Sequence, residues 1–238
     1  TNQSRLAAAG IDFQSTPRSP EQMNARLAKA QYHAMIKLID EQLARIIEAI
    51  DSSGELENTL IILTSDHGET LGDHGLMFKG CRFYEGLVRV PLIFSWPGTI
   101  KSGLRSQALV QLTDIVPTIL DIVGLPTPEG MHGKSLLSLL LGECSSDYHH
   151  DQVRCEYFDA VDLPDHTYAT MLRNDRWKLI VYHGKRIGEL YDLKNDPDEF
   201  ENLWDVGSAQ ETKAELLLLS YDETVLSMDH GPARIAPI

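Results

Sequence analysis

A carboxylate and an imidazole stand side by side in Ser65-Asp66-His67-Gly68-Glu69, directly after an apolar run. Aspartate offers a hard oxygen and neutral histidine a nitrogen, a donor pair that suits a divalent cation. The turn continues as Thr70-Leu71-Gly72-Asp73-His74-Gly75 and reaches Lys79-Gly80. Gly68, Gly72 and Gly75 let the backbone bend tightly around such a site. Lys79 supplies a mobile point charge able to meet an anionic oxygen. The plain alternative for an Asp-His pair alone is a cap beside a surface histidine. The density of Gly, Asp, His and Lys favours the metal reading without choosing a reaction.

The flanking elements must position this turn. Ser19, Pro20 and Gln22 spell a helix start with a capping box. Tyr32, Ile36, Ile39, Leu43, Ile46 and Ile50 then recur at three- and four-residue steps, predicting a long amphipathic helix that ends near Asp51. Thr59–Thr64 is short, apolar and β-branched, the pattern of a strand buried in a parallel sheet. Asp66 and His67 thus fall at a strand's carboxyl end, where open α/β sheets bind ligands. Val88–Trp96 reads as a second buried strand. Asp114 is placed to cap a helix over Ile115–Val123, and Ser135–Leu141 is a short helix. Residues 1–18 read as irregular.

The polar stretch Glu143–Asp151 marks a boundary, giving regions 1–148 and 149–238. Beyond it, Val153–Phe158, Tyr168–Arg173, Trp177–His183 and Glu189–Leu193 predict a small antiparallel sheet with turns at Asn174-Asp175 and Gly184. Glu211–Leu226 predicts a helix packed on it, and Trp177 and Tyr191 are its expected core aromatics. Glu85 and Arg89, four apart, could pair. His132 reads as a surface residue. His149-His150-Asp151 looks like a metal cluster by composition only.

The chain has 238 residues, 42% of them hydrophobic, so a real core is expected. With 35 acidic and 21 basic residues its net charge is −14, which argues against nucleic acid or an anionic membrane as main partner. No apolar run approaches the ~18 residues of a membrane span. Three cysteines (Cys81, Cys144 and Cys155) show neither metal spacing nor a paired framework. The N-terminus has no Met and no signal pattern, so the reading is of a chain that begins mid-protein. Bacterial cytoplasm and periplasm are both compatible.

Several linked motifs resemble the sulfatases of the alkaline phosphatase superfamily and their phosphonate monoester hydrolase relatives. These are Thr64–Glu69, Gly72–Gly75 and Lys79-Gly80, then Phe83–Ile93, Leu112–Leu120, Arg173–Ile180 and Glu189–Pro197. They run in family order from about residue 20 to 205. The resemblance implies an α/β fold: part of a mostly parallel, alkaline-phosphatase-like sheet flanked by helices, then a small α+β subdomain with an antiparallel sheet. It implies that Asp66 and His67 ligate a divalent metal, usually calcium; a His ligand leaves manganese or another transition metal open. Lys79 would contact a sulfate oxygen, and His74 either reaches the substrate or packs inside its loop. The substrate would be a small anionic sulfate ester, or a phosphonate or phosphate ester on the same scaffold.

The family's formylglycine arises from a Cys/Ser-x-Pro-x-Arg motif, and none of the three cysteines fits it. Ser15-Thr16-Pro17-Arg18 has its arginine one position early. The early aspartate ligands are absent too. The expectation is therefore a portion of a sulfatase whose nucleophile lies upstream, inactive alone, with a noncatalytic relic as the rival.

Overall fold

The computed structural model describes residues 2–11, 18–19, 21–159 and 166–228. Pro20 and most of the Ser15–Ser19 near miss lie outside them. Helix α1 (Asn2–Ala8) opens the chain where an irregular segment is expected. It is held by long-range bonds: Asn2 Nδ2 donates to Glu189 Oε2 at 2.8 Å and Gln3 Nε2 to the Tyr84 hydroxyl at 2.6 Å. Partners so distant in sequence leave no local signal.

Helix α2 spans Ala25–Ser52, capped by the Asn24 side chain on the Leu27 amide. The predicted start at Ser19 is instead a separate turn, in which the Ser19 amide donates to the Gln22 side chain at 3.0 Å. None of α2's residues is buried, and Met35, Ile36, Leu38, Ile39 and Ile46 are all exposed. The apolar stripe exists but has no cover among the described residues.

Strand β1 (Ile61–Thr64) pairs with β2 (Leu92–Ser95), and the pairing is antiparallel: Ile61 faces Ser95 and Thr64 faces Leu92. The mostly parallel sheet expected here is not what the described residues form. A continuous apolar run reports burial on two faces; it does not encode the direction of the neighbouring strand. The long second strand is also shorter than expected. Glu85–Val88 forms a helical turn, α3, and the strand starts only after Pro91. Helices α4 (Ile115–Ile122) and α5 (Leu137–Leu141) follow.

The C-terminal sheet matches its reading closely. Strands β3 (Val153–Phe158), β4 (Tyr168–Arg173), β5 (Trp177–Tyr182) and β6 (Ile187–Asp192) form an antiparallel meander in chain order. Helix α6 (Gln210–Leu226) lays Leu216 on one face, against Leu172, Leu179 and Leu190. On the other face, Ala169, Met171, Ile180, Tyr182 and Tyr191 pack with Leu6, Leu76, Phe83 and Tyr84. That second core spans the polar stretch at 143–151, so the sheet directly supports the loop that follows β1.

Candidate active site

Asp66 and His67 leave the end of β1 in a turn closed by side chain and backbone together. The His67 amide donates to Asp66 Oδ1 at 3.0 Å, and the Ser65 hydroxyl donates to the His67 carbonyl at 2.8 Å. The Gly68 amide then donates to the Leu87 carbonyl at 2.8 Å, pinning the turn to α3. This approach requires glycine: a Cβ at position 68 would lie 1.9 Å from the Gly86 carbonyl oxygen. Gly72, at φ 103°, takes a left-handed conformation that favours glycine.

The imidazole of His67 has a defined tautomer. Its Nδ1 lies 2.8 Å from the Gly68 carbonyl, which can only accept, so Nδ1 carries the proton. The lone pair is left on Nε2, 3.5 Å from Asp66 Oδ2 and 2.9 Å from Lys79 Nζ. A carbonyl that holds one ring nitrogen and frees the other is the arrangement metal-binding histidines use. The His67 amide holds the Asp66 carboxyl below its usual pKa; burial opposes this, and the Lys79 charge adds to the lowering. An ionised oxygen beside an unprotonated imidazole nitrogen that already attracts the Lys79 ammonium fits a divalent ion. Among the described residues no third His, Cys, Asp or Glu joins this pair in a ligand cluster.

Asp66, His67 and Lys79 share the wall of a cavity of about 820 Å³. Glu85 and Arg89, which the sequence puts beside the site as an ion pair, line it too, as does Arg173, which the sequence does not mark. Glu85 does not use Arg89 as the four-residue spacing suggests. Its Oε1 meets Lys178 Nζ at 2.7 Å and Arg173 Nε at 3.1 Å. Lys178 is fully buried and also bonds Glu199 Oε1 at 2.7 Å and the Phe83 carbonyl at 2.8 Å. Burial raises the Glu85 pKa, but Lys178 and Arg173 outweigh it and the net shift is down. Glu199 is shifted up, because its burial outweighs Lys178. A lysine inside a buried strand was the available signal for this network.

His74 sits elsewhere. Its ring stacks on Tyr84 with centroids 3.8 Å apart and lies 5.2 Å from Phe200. It does not line the cavity. Burial lowers its pKa against the pull of Asp73 and Glu189. Of the two roles open to it, this geometry favours packing. His132 is exposed, and His149 and His150 meet Asp114, whereas Asp151 accepts from the Tyr148 hydroxyl. No helix among the described residues is long and apolar enough to cross a membrane.

Two family descriptions match: "N-sulphoglucosamine sulphohydrolase, C-terminal" over residues 72–220, more than half the chain, and "Sulfatase" over residues 10–125. Arylsulfatase K of Rattus norvegicus is 38% identical over 181 residues, covering 74% of this chain and 31% of that protein. The solved 2-O GAG sulfatase BT1596 superposes with a TM-score of 0.80 at 28% identity, covering 96% of this chain and 48% of that one. The phosphonate monoester hydrolase of Silicibacter pomeroyi gives 0.73 at 28% identity, covering 81% and 40%. The chain thus spans about a third of the length of the curated relatives it matches. With its motifs in family order and both family descriptions matched along it, the chain belongs to the sulfatase family.

Proposed function

We propose that the protein hydrolyses a sulfate monoester, with Asp66 and His67 as two ligands of a divalent metal site and Lys79 on the substrate. The observation that carries this is the convergence of Lys79 Nζ on His67 Nε2 at 2.9 Å, beside Asp66, in the wall of the large cavity. Asp66 and His67 hold the cation by one oxygen and one nitrogen. Calcium is the favoured ion, with manganese or another divalent cation as the alternative. A bound divalent cation supplies Lewis-acid stabilisation of charge on the ester's oxygens. Lys79 contacts a sulfate oxygen and offsets charge on the leaving oxygen. A unit charge pair at 4 Å is worth about 4 kcal/mol at an effective dielectric of 20, so this contact matters if it tightens in the transition state. His74 stabilises the loop by stacking on Tyr84.

The formylglycine nucleophile and the remaining ligands belong, in this reading, to sequence outside these 238 residues. The same sequence would cover the apolar stripe of α2 and the open edges of the β1–β2 pair. Hydrolysis of a phosphonate or phosphate ester is the second reading, favoured by the likeness to the phosphonate monoester hydrolase structure and by a histidine at 67.

Product of the uninterrupted reading frame, assayed on an aryl sulfate and an aryl phosphonate monoester, tests the proposal. Turnover of the sulfate ester, abolished by Asp66→Ala, is expected. Preference for the phosphonate ester would install the second reading. Failure on both, or a start codon just before Thr1, would favour a noncatalytic relic or interaction domain.

A further inference from the structure

A second constellation lies behind the head of α4, formed by residues that do not line the large cavity. Asp114 is fully buried there. Its Oδ1 accepts the Lys134 amide and its Oδ2 the Gln111 amide, each at 2.8 Å. His150 Nε2 sits 3.1 Å and 3.0 Å from the same two oxygens. The neighbouring His149 ring meets His150 edge-on, with centroids 4.5 Å apart and planes at 76°. One ligand atom from each of the three residues lies within 4.8 Å of the other two.

Hydrogen bonding accounts for Asp114 and His150 but not for His149. His149 Nε2 is buried without a hydrogen-bond partner, and the closest carboxylate oxygen, Asp114 Oδ2, is 3.6 Å away. As a protonated nitrogen it is too far to bond; as a lone pair it faces another lone pair. Buried polar atoms in native proteins are normally satisfied, so an orphan aimed at a carboxylate asks for a missing partner. Burial shifts the His149 pKa down; Asp114 and the Lys134 backbone oppose the shift, and His150 and the Lys134 charge add to it. Burial raises the Asp114 pKa, but His150 and the amides of Lys134 and Gln111 outweigh it and keep the carboxyl ionised. Neutral imidazole and ionised carboxylate are the states in which these groups bind metals.

We propose that Asp114, His149 and His150 bind a zinc ion, a site distinct from the Asp66–His67 pair. Zinc takes nitrogen and carboxylate ligands at about 2.0–2.2 Å, which puts the corners of its tetrahedron about 3.3 Å apart. The two nitrogen-to-Oδ2 separations, 3.0 Å for His150 and 3.6 Å for His149, bracket that value. The ion would satisfy His149 Nε2 and replace the bond between His150 and Asp114, with water as fourth ligand. Two imidazoles and one carboxylate suit zinc; calcium prefers six to eight oxygens. The site is a clasp. It fastens the segment ahead of β3, already bridged at Leu109 and His150, to the head of α4.

The test uses protein carrying Asp66→Ala and His67→Ala, stripped with chelator, so that the first site is silent. Zinc affinity is measured by competition with a chromophoric chelator, and cobalt is added as a spectroscopic probe of tetrahedral geometry. One equivalent of zinc is expected, with a rise in the unfolding midpoint. Adding His149→Ala should weaken zinc binding at least tenfold and remove the rise, while His132→Ala, at an exposed imidazole, should change neither. Absence of stoichiometric zinc, or equal affinity after His149→Ala, overturns the proposal. If His149→Ala loses its fold, His149→Gln takes its place, and unchanged affinity there overturns it equally. Since the readout is binding with the first site removed, it is independent of any sulfatase activity.

Discussion

The Lys79 ammonium donates to His67 Nε2 across 2.9 Å, on the nitrogen that the Gly68 carbonyl leaves unprotonated. A metal ion and this ammonium compete for one lone pair. Lys79 must therefore swing away when a cation enters, toward whatever anion the cavity holds. Lys79→Ala is expected to lower sulfate ester turnover at least tenfold, about 1.4 kcal/mol, while metal affinity stays the same or tightens. Steady-state kinetics and a metal titration read the two effects separately. An unchanged rate would remove Lys79 from the site.

Asp66→Ala should abolish both metal binding and turnover, because it removes the hard oxygen beside His67. The carboxylate is 84% exposed, so its loss costs the fold little and the two readouts report the site itself. Metal content and rate close to wild type would sink the assignment.

Gly68→Ala tests how the turn is held. The added methyl meets the Gly86 carbonyl oxygen at 1.9 Å, and one of the two backbones has to give. Overpacking of this kind costs about 1–3 kcal/mol. Metal affinity should fall as well, since His67 is the preceding residue. Urea unfolding and metal titration measure both; a stable variant with full affinity would mean that the α3 contact does not position the turn.

Lys178→Met should destabilise the protein by about 3–5 kcal/mol, because Glu85 and Glu199 lose their shared buried cation. Adding Glu199→Gln should restore part of that loss, since Glu199 already has a raised pKa from burial. Chemical denaturation of the single and double variants near neutral pH decides it. Equal stability of the two would show that Glu199 is not the residue left stranded.

His74 contributes a pH dependence of defined sign. Its pKa in the fold is below the free imidazole value of about 6.5. The unfolded chain therefore binds more protons than the native state just below that value, and stability falls with falling pH. His74→Asn tolerates the residue's φ of 54° and removes this share. Its stability should fall less steeply than wild type as pH drops below about 6.5, with His149 and His183, also shifted down, retaining part of the slope. Identical slopes in a pH-resolved unfolding series would place the titration elsewhere.

The elements with local signals were legible in the sequence. Strands β3 and β4 fall at the segments read between turn residues, and α2 ends near Asp51 as read. Asp66, His67 and Lys79 were legible because short sequence distances bring them together. What stayed hidden depends on partners far along the chain. Helix α1 is held from residues 84 and 189, and the Arg173–Glu85 contact joins residues 88 positions apart. Asp114 reads as the cap of α4, but its side chain makes no cap bond there; it accepts the Gln111 amide in the turn ahead, and its other partners, Lys134 and His150, arrive from separate segments. The direction of β1 against β2 was beyond reach for another reason: burial pattern constrains faces, and pairing direction is set by topology.

The Lys178 network also constrains how relatives of this chain can exchange parts. Phe83 and Glu85 lie on one side of the polar stretch near residue 148, and Lys178 and Glu199 on the other. A crossover between two relatives within that stretch would join a cavity wall from one parent to a sheet from the other. Where the parents differ at 85, 178 or 199, the hybrid would carry a buried charge with no counter-ion. Glu85, Lys178 and Glu199 are thus expected to travel together, one heritable unit spread over more than a hundred residues of chain.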